Sequence, residues 1–369
     1  MKTKILLLSV LSGFISILTS CYREIDVEKY RTTPKIVINC PISPDTVIRA
    51  SITRTYFFSD LDNLEPEYNG WNGQTEISSI KLRNAKVELY INGTYKEDMK
   101  WQALDSVEEH QAPDTFFIST VIPQAGDKVK LVATTPEYGS AWAEDVVPQR
   151  VPIEKIEVSC RKETGDPYSI QNNTPGNITY NNEYYAFQYY ITFRDTPGKA
   201  NYYQLWVEGD IQYIDPIFNS VNSTIDGTLG YDGVDGRGGR VFTDELIDGK
   251  EYTIQVKELI QAHYSVQDLK ERSINLYALS ESYYQYLLSL EKISASTLSG
   301  SLSNIGLAEP LRVYTNVNNG TGILGACQRT NIKINLGDIF QRKKTNKSHL
   351  RIYTEASISY FFRLFVPLF

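Results

Sequence analysis

From Lys35 onward the chain is written in short runs that alternate apolar and polar side chains, each closed by Pro, Gly, Asn or Asp. A period of two is the signature of a half-buried strand, so this pattern limits the chain to a mainly β fold. Val87, Leu89 and Ile91 alternate with Lys86, Glu88 and Tyr90, and Asn92-Gly93 then reads as a tight hairpin turn. Residues 184–193 repeat the rule more strongly. Tyr185, Phe187, Tyr189, Ile191 and Phe193 point to one side, and Tyr184, Gln188, Tyr190 and Thr192 to the other. Tyr203, Leu205 and Val207 continue the inward pattern in the next run. Only residues 280–293 carry a helical stripe, through Tyr283, Tyr286, Leu287, Leu290 and Ile293, with Ser280 placed to cap it and Glu281 suited to the positive end.

The spacing of these runs predicts two tandem β-sandwich domains of immunoglobulin-like or fibronectin-like type, at residues 35–147 and 153–336, the second carrying the amphipathic helix. Residues 146–153 hold two prolines and no periodicity, which makes them the boundary. Residues 60–79 read as a polar surface loop and residues 311–315 as a short strand. Residues 337–369 are basic and aromatic, with Arg342, Lys343, Lys344, Lys347, Arg351 and Arg363 against Asp338 and Glu355, and are expected outside both cores.

The first residues settle a destination. Lys2 and Lys4 precede an apolar run over residues 5–18, and Leu18-Thr19-Ser20 then places small residues before Cys21. That run is shorter than the roughly 20 apolar residues a membrane-spanning helix needs. Residues 1–20 therefore read as a lipoprotein signal peptide, Cys21 as the lipidation site, carrying palmitate-type chains, and residues 21–34 as the acylated N-terminus and tether. Two acyl chains make membrane attachment stable.

Composition narrows the chemistry. The net charge is −7, and setting aside the basic segment 337–369 leaves the remainder more acidic still, so nucleic acid is excluded as a partner. Cys40, Cys160 and Cys327 are too widely spaced for a zinc knuckle or a redox pair, could form at most one disulfide, and read as small buried hydrophobes. His110, His263 and His349 are scattered, so no metal site is expected. Gly320-Thr321-Gly322-Ile323-Leu324-Gly325 spells a dinucleotide fingerprint, yet a strand-like run follows it where a helix is required, and it reads as a glycine-rich turn. Asp226, Asp232 and Asp235 lack the spacing of a calcium loop. The acidic pairs Glu108-Glu109 and Glu144-Asp145 would point to opposite faces of a strand, and no GxSxG elbow exists. No catalytic residue and no cofactor is expected. The candidate binding residues are instead Tyr184, Tyr190, Tyr202 and Trp206, outward aromatics on two runs expected to pair as adjacent strands. Rings with polar tips suit a glycan or a peptide ligand, unless the helix covers them.

Several segments resemble the Bacteroidota lipoproteins classed as domain of unknown function 4249. They are the lipobox with Tyr22-Arg23-Glu24-Ile25-Asp26, Pro34-Lys35-Ile36-Val37-Ile38, Asn84-Ala85-Lys86-Val87-Glu88-Leu89, the run Arg194-Asp195-Thr196-Pro197-Gly198-Lys199-Ala200-Asn201-Tyr202-Tyr203, Asp244-Glu245-Leu246-Ile247-Asp248-Gly249-Lys250, Leu279-Ser280-Glu281-Ser282-Tyr283-Tyr284-Gln285-Tyr286, and Glu309-Pro310. The resemblance implies a β-rich lipoprotein of the outer membrane, often encoded beside TonB-dependent receptors that import nutrients. It carries no catalytic residue with it. It implies an accessory, non-enzymatic binding component of such an uptake system, its partners the membrane, a TonB-dependent receptor and a glycan or peptide. The alternative it leaves open is a fimbrial or adhesin-type structural lipoprotein.

Overall fold

The computed structural model describes residues 27–57, 60, 66–69, 74–77, 80–103, 115–164, 183–209, 216–217, 240–261, 271–295, 312–339 and 349–353. The chain is mainly β. After a 3-10 turn at Val27–Tyr30 come β1 (Ile36–Ile42), β2 (Arg49–Arg54), β3 (Pro66–Asn69), β4 (Gln74–Ile77), β5 (Lys86–Ile91), β6 (Thr94–Asp98), β7 (Lys100–Ala103), β8 (Thr115–Ile118), β9 (Lys128–Thr135) and β10 (Gly139–Val146). The second half supplies β11 (Ile153–Thr164), β12 (Glu183–Arg194), β13 (Tyr202–Gly209), β14 (Pro216–Ile217), β15 (Arg240–Thr243), β16 (Glu251–Gln261), β17 (Glu271–Leu279), the helix α1 (Glu281–Ala295), β18 (Gly320–Asn335) and β19 (His349–Tyr353). Asn92 and Gly93, both at positive φ (52° and 78°), form the hairpin between β5 and β6 that the sequence pattern implies.

One eight-stranded sheet runs through the whole molecule, in the order β15-β13-β17-β18-β1-β2-β8-β7. A four-stranded sheet, β10-β9-β5-β6, faces its β1-β2 end, and a five-stranded sheet, β14-β16-β12-β11-β19, faces its β13-β17 end. The first core lies between Ile36, Ile38, Ile42 and Ile52 on one side and Val87, Leu89, Val129 and Leu131 on the other. The second joins Phe187, Tyr189, Ile191 and Phe193 of β12 to Tyr203 and Leu205 of β13 and Ile274 and Leu276 of β17. Each such fully buried side chain contributes roughly 1.5–3 kcal/mol.

The spine of this arrangement is β18. Residues 320–326 pair in parallel with β1, and residues 327–335 pair antiparallel with β17. The part of the chain after the expected boundary at residues 146–153 therefore does not stay in one core. Val317, Leu324 and Ala326 pack in the first core, whereas Ile334, Leu336 and Ile339 pack in the second. The glycine-rich motif is likewise strand rather than turn. A Cβ on Gly320 would stand 2.5 Å from the carbonyl oxygen of Ile36, and one on Gly325 would stand 2.5 Å from the ring of Tyr283. These glycines admit a neighbouring strand and a helix side chain, not a phosphate.

Three other expectations are corrected. Residues 60–79 contain the antiparallel strand pair β3–β4. Residues 312–315 form no strand; the segment hangs on α1 through the Tyr314 N–H donated to Ser289 Oγ at 3.0 Å. The segment 337–369 is not wholly outside the cores, because Ile339 is 1 % exposed and β19 pairs antiparallel with β11. Its alternating His349-Leu350-Arg351-Ile352-Tyr353 is a strand pattern inside a stretch whose composition is dominated by charge and aromatics.

Candidate functional site

The connection from β12 to β13 decides where the candidate residues go. Residues 195–201 carry the chain from one sheet to the sheet facing it, so β12 and β13 are not neighbours: β12 pairs with β11 and β16, and β13 with β15 and β17. Phe193 and Tyr203 then meet across the second core, ring centroids 5.3 Å apart. Tyr190 and the pair Tyr202 and Trp206 consequently occupy outer faces of two different sheets, which removes the single platform expected from the sequence. Tyr190 is half-buried and donates to Gln188 Oε1 at 3.3 Å. Tyr202 stacks on Tyr284 of α1, centroids 4.8 Å apart, within a small core that also holds Leu279, Tyr283 and Leu287. Trp206 is half-buried on the face that Tyr202 shares, opposite Asn275. Tyr184 belongs to β12, and its side chain lies outside the described residues, as do Cys21, Asp226, Asp232 and Asp235.

The crossing is held by a clasp of carboxylates. Asp195 is 2 % exposed; its Oδ1 accepts from the Tyr203 hydroxyl and from Asn201 Nδ2 (3.1 Å), and its Oδ2 accepts from the Gly249 N–H (2.8 Å). Asp244 Oδ2 accepts the Asn201 N–H at 2.9 Å, and Asp248 Oδ1 accepts the Gly198 N–H at 2.9 Å. Burial first, and then the like charge of Asp195, raises the pKa of Asp244. Ligand oxygens of Asp195, Asp244 and Asp248 lie within 4.8 Å of one another, the spacing a cation would need. Each carboxylate already accepts backbone or side-chain hydrogen bonds, so the geometry is accounted for as a lock between residues 195–201 and 244–249. The sequence placed both segments in its family resemblance but gave no sign that they meet.

Next to the clasp, where the two cores adjoin, is a cleft of about 360 Å³ lined by Asp145, Gln149, Lys199, Tyr202, Ser280 and Glu281, among others. Asp145 forms its floor. It is the penultimate residue of β10, yet its Oδ2 accepts from the Ser280 hydroxyl and from the Ala326 N–H (2.9 Å), both beyond the expected boundary. Ser280 in turn accepts the Tyr283 N–H at 3.2 Å, the N-cap bond foreseen from sequence. One carboxylate thus ties the first core, the midpoint of β18 and the start of α1 together. Desolvation pushes Asp145 up to about 6, against the lowering effect of its three hydrogen-bond donors. The sequence pattern sets Glu144 and Asp145 on opposite faces of a strand, and only the tertiary fold reveals what the second of the pair meets on its side.

Cys40, Cys160 and Cys327 are not joined in disulfides, and burial pushes Cys40 up to about 12 and Cys327 to about 11, so neither of these two carries appreciable thiolate at neutral pH. A family model described as "Domain of unknown function (DUF4249)" matches residues 22–333. No curated protein and no solved structure matches the chain.

Proposed function

The chain belongs to the family of the domain of unknown function DUF4249, and from that premise we propose that it is an exported, non-catalytic binding lipoprotein. It is anchored through acylated Cys21 and serves as an accessory component of a TonB-dependent nutrient uptake system in an outer membrane of the Bacteroidota type. On this reading the two packed units are tandem sandwiches of immunoglobulin-like or fibronectin-like kind, linked by the shared sheet. The signal-like residues 1–20 and the small residues preceding Cys21 support the anchor.

The binding role rests on one observation, the junction cleft. Its size falls in the range that holds a small ligand. Its half-buried carboxylate, Asp145, is committed to Ser280 and Ala326, so it positions the walls instead of serving as a free base. The rim offers the Tyr202 ring and the polar groups of Gln149, Lys199 and Glu281, a set suited to a glycan fragment or a peptide end.

Two measurements test this reading. The Cys21→Ala protein is expected to leave the membrane fraction, and tight membrane retention would refute the anchor. The native lipoprotein, isolated from outer membranes in mild detergent, is expected to bring a TonB-dependent receptor with it. Recovery with fimbrial subunits instead would overturn the uptake role.

A further inference from the structure

The junction cleft carries negative charge that no cation of the chain answers. Asp145 Oδ2 is filled by Ser280 and Ala326, but Oδ1 takes a single donor, the Val146 N–H at 2.9 Å. A carboxylate oxygen has room for a second, so one acceptor position remains on a side chain that lines the cleft. Glu281 lines the same cleft and acts on Asp145 as a like charge. Among the described residues, neither carboxylate is paired with a lysine or an arginine, and Lys199 stands on the lining without bonding to either.

An independent feature points the same way. Gln328 is 7 % exposed, and its Oε1 has no hydrogen-bond partner. A buried acceptor in this state is uncommon and unfavourable. Gln328 stands opposite Ala278 in the β17–β18 register, and opposed residues of antiparallel strands put their side chains on one face. Ala278 lines the cleft. Thr330, two residues further along that face, donates to the carbonyl of Val151, which lines it as well. The orphan acceptor therefore lies on the cleft side of its sheet, beside two of the lining residues.

We propose that the cleft binds the primary ammonium of a peptidic ligand, with Asp145 and Glu281 supplying the opposing charge and Gln328 a neutral acceptor. An ammonium brings a positive charge and donors only, the complement of that set. The Tyr202 ring on the lining adds a surface that attracts cations. A sugar hydroxyl could donate to the same oxygens but would leave their charge unanswered. The inference rests on the cleft being the ligand site, and it narrows the choice between glycan and peptide. The ammonium belongs to an amino terminus or to a lysine side chain, and the chemistry of recognition is shared.

Calorimetric titration of the mature full-length chain, carrying Cys21→Ala, provides the test. The probes are trialanine and Nα-acetyllysine amide, each with and without acetylation of its amine, together with maltotriose and calcium ion. At least one free amine is expected to bind, trialanine marking an amino terminus as the source and the lysine derivative a side chain. Acetylation of that amine should weaken binding at least about tenfold, because the charged donor is lost. Asp145→Asn keeps an acceptor for Ser280 and Ala326 but no charge, and Gln328→Met keeps the volume but no acceptor. Both are expected to lose amine affinity by about tenfold, and Gln328→Met should do so without a lower thermal midpoint, since an unpartnered acceptor leaves the interior. This second variant decides the matter if Asp145→Asn does not fold. Unchanged amine affinity in a folded variant, or binding of calcium alone, would overturn the proposal. Maltotriose bound with both amines refused would overturn the ammonium and keep the cleft as a ligand site, whereas refusal of every probe would remove both readings.

Discussion

Asp145 is the residue through which pH should reach the fold. Its ordinary pKa of 3.8 is raised to about 6 in the folded chain, so between those values the folded protein holds a proton that the unfolded chain has lost. Stability from this group is fully present below about pH 4 and is lost as pH rises through about 6, up to about 3 kcal/mol in all. Asn at this position cannot ionise but still offers an acceptor to Ser280 and Ala326. The stability of the parent relative to Asp145→Asn should therefore fall as pH is raised from 4 to 7; parallel stability curves from urea titrations would contradict the assignment. A fully buried group behaves differently. Glu258 accepts from Tyr189 at 2.6 Å and from both Nε (2.9 Å) and Nη2 (2.8 Å) of Arg272, which reaches across the second core from the opposite sheet. Arg272 and Glu258 are 3 % and 2 % exposed, so removing one partner strands a charge. Arg272→Met is expected to cost about 3–5 kcal/mol, and adding Glu258→Leu should restore part of that, because two matched apolar groups need no solvation. Calorimetry of the single and double variants reads both terms.

At the scale of elements, α1 shows where local pattern was enough and where it was not. Its apolar stripe was legible only in part: Tyr283 and Leu287 pack in the small core, whereas Leu290 and Ile293 are exposed and the buried Tyr284 lay outside the expected stripe. Its cap and its start were legible, because they depend on neighbours within one or two turns. The strands β5, β9 and β12 were legible for the same reason. What the helix covers was not, since Tyr202 is more than eighty residues away from its partner Tyr284 and the sequence reads as an outward tyrosine in either environment. The pairing of β12 with β13 failed for a related reason: seven residues can form a hairpin loop or an arch between sheets, and only the clasp through Asp195 and Asp244 selects the arch. β19 was hidden by composition, and the first half of β18 by its glycines, which read as a turn until β1 is laid beside them. The covered face of α1 gives a direct test. Tyr284→Ala, at a position 9 % exposed and stacked on Tyr202, should cost about 3 kcal/mol. Leu290→Ala, on the side where that leucine is 39 % exposed, should change stability by less than about 1 kcal/mol. Equal losses in thermal unfolding would mean that the helix is rotated from the orientation described.

Across the whole molecule, the two cores are separate pools of apolar side chains, yet the backbone between them is continuous. β18 passes through both, and the joint is reinforced on each side of its midpoint. Asn316 exchanges hydrogen bonds with Leu324 (2.8 and 3.1 Å), Asp145 holds Ala326, and Thr330 donates to the Val151 carbonyl at 2.6 Å. Loss of the first core would thus expose one flank of the strand on which β17 and α1 depend, and loss of the second would unpair the strand that completes the first sheet. Coupling of this kind makes unfolding a single transition, whereas two sandwiches joined by a simple linker would melt independently. Gly322 is the position to probe it, for its φ is +100° and a Cβ there would lie 2.3 Å from the carbonyl oxygen of Ile38. Gly322→Ala carries about 1–3 kcal/mol of backbone strain before the clash is counted. The change lies wholly on the first-core side of the joint. If the spine couples the units, fluorescence from Trp101 and Trp142 in the first unit and Trp206 in the second, isolated by replacing the other tryptophans with Phe, will shift to lower temperature together in this variant. A midpoint that falls for the first unit while Trp206 keeps its parental transition would show that β18 is shared in geometry but not in stability.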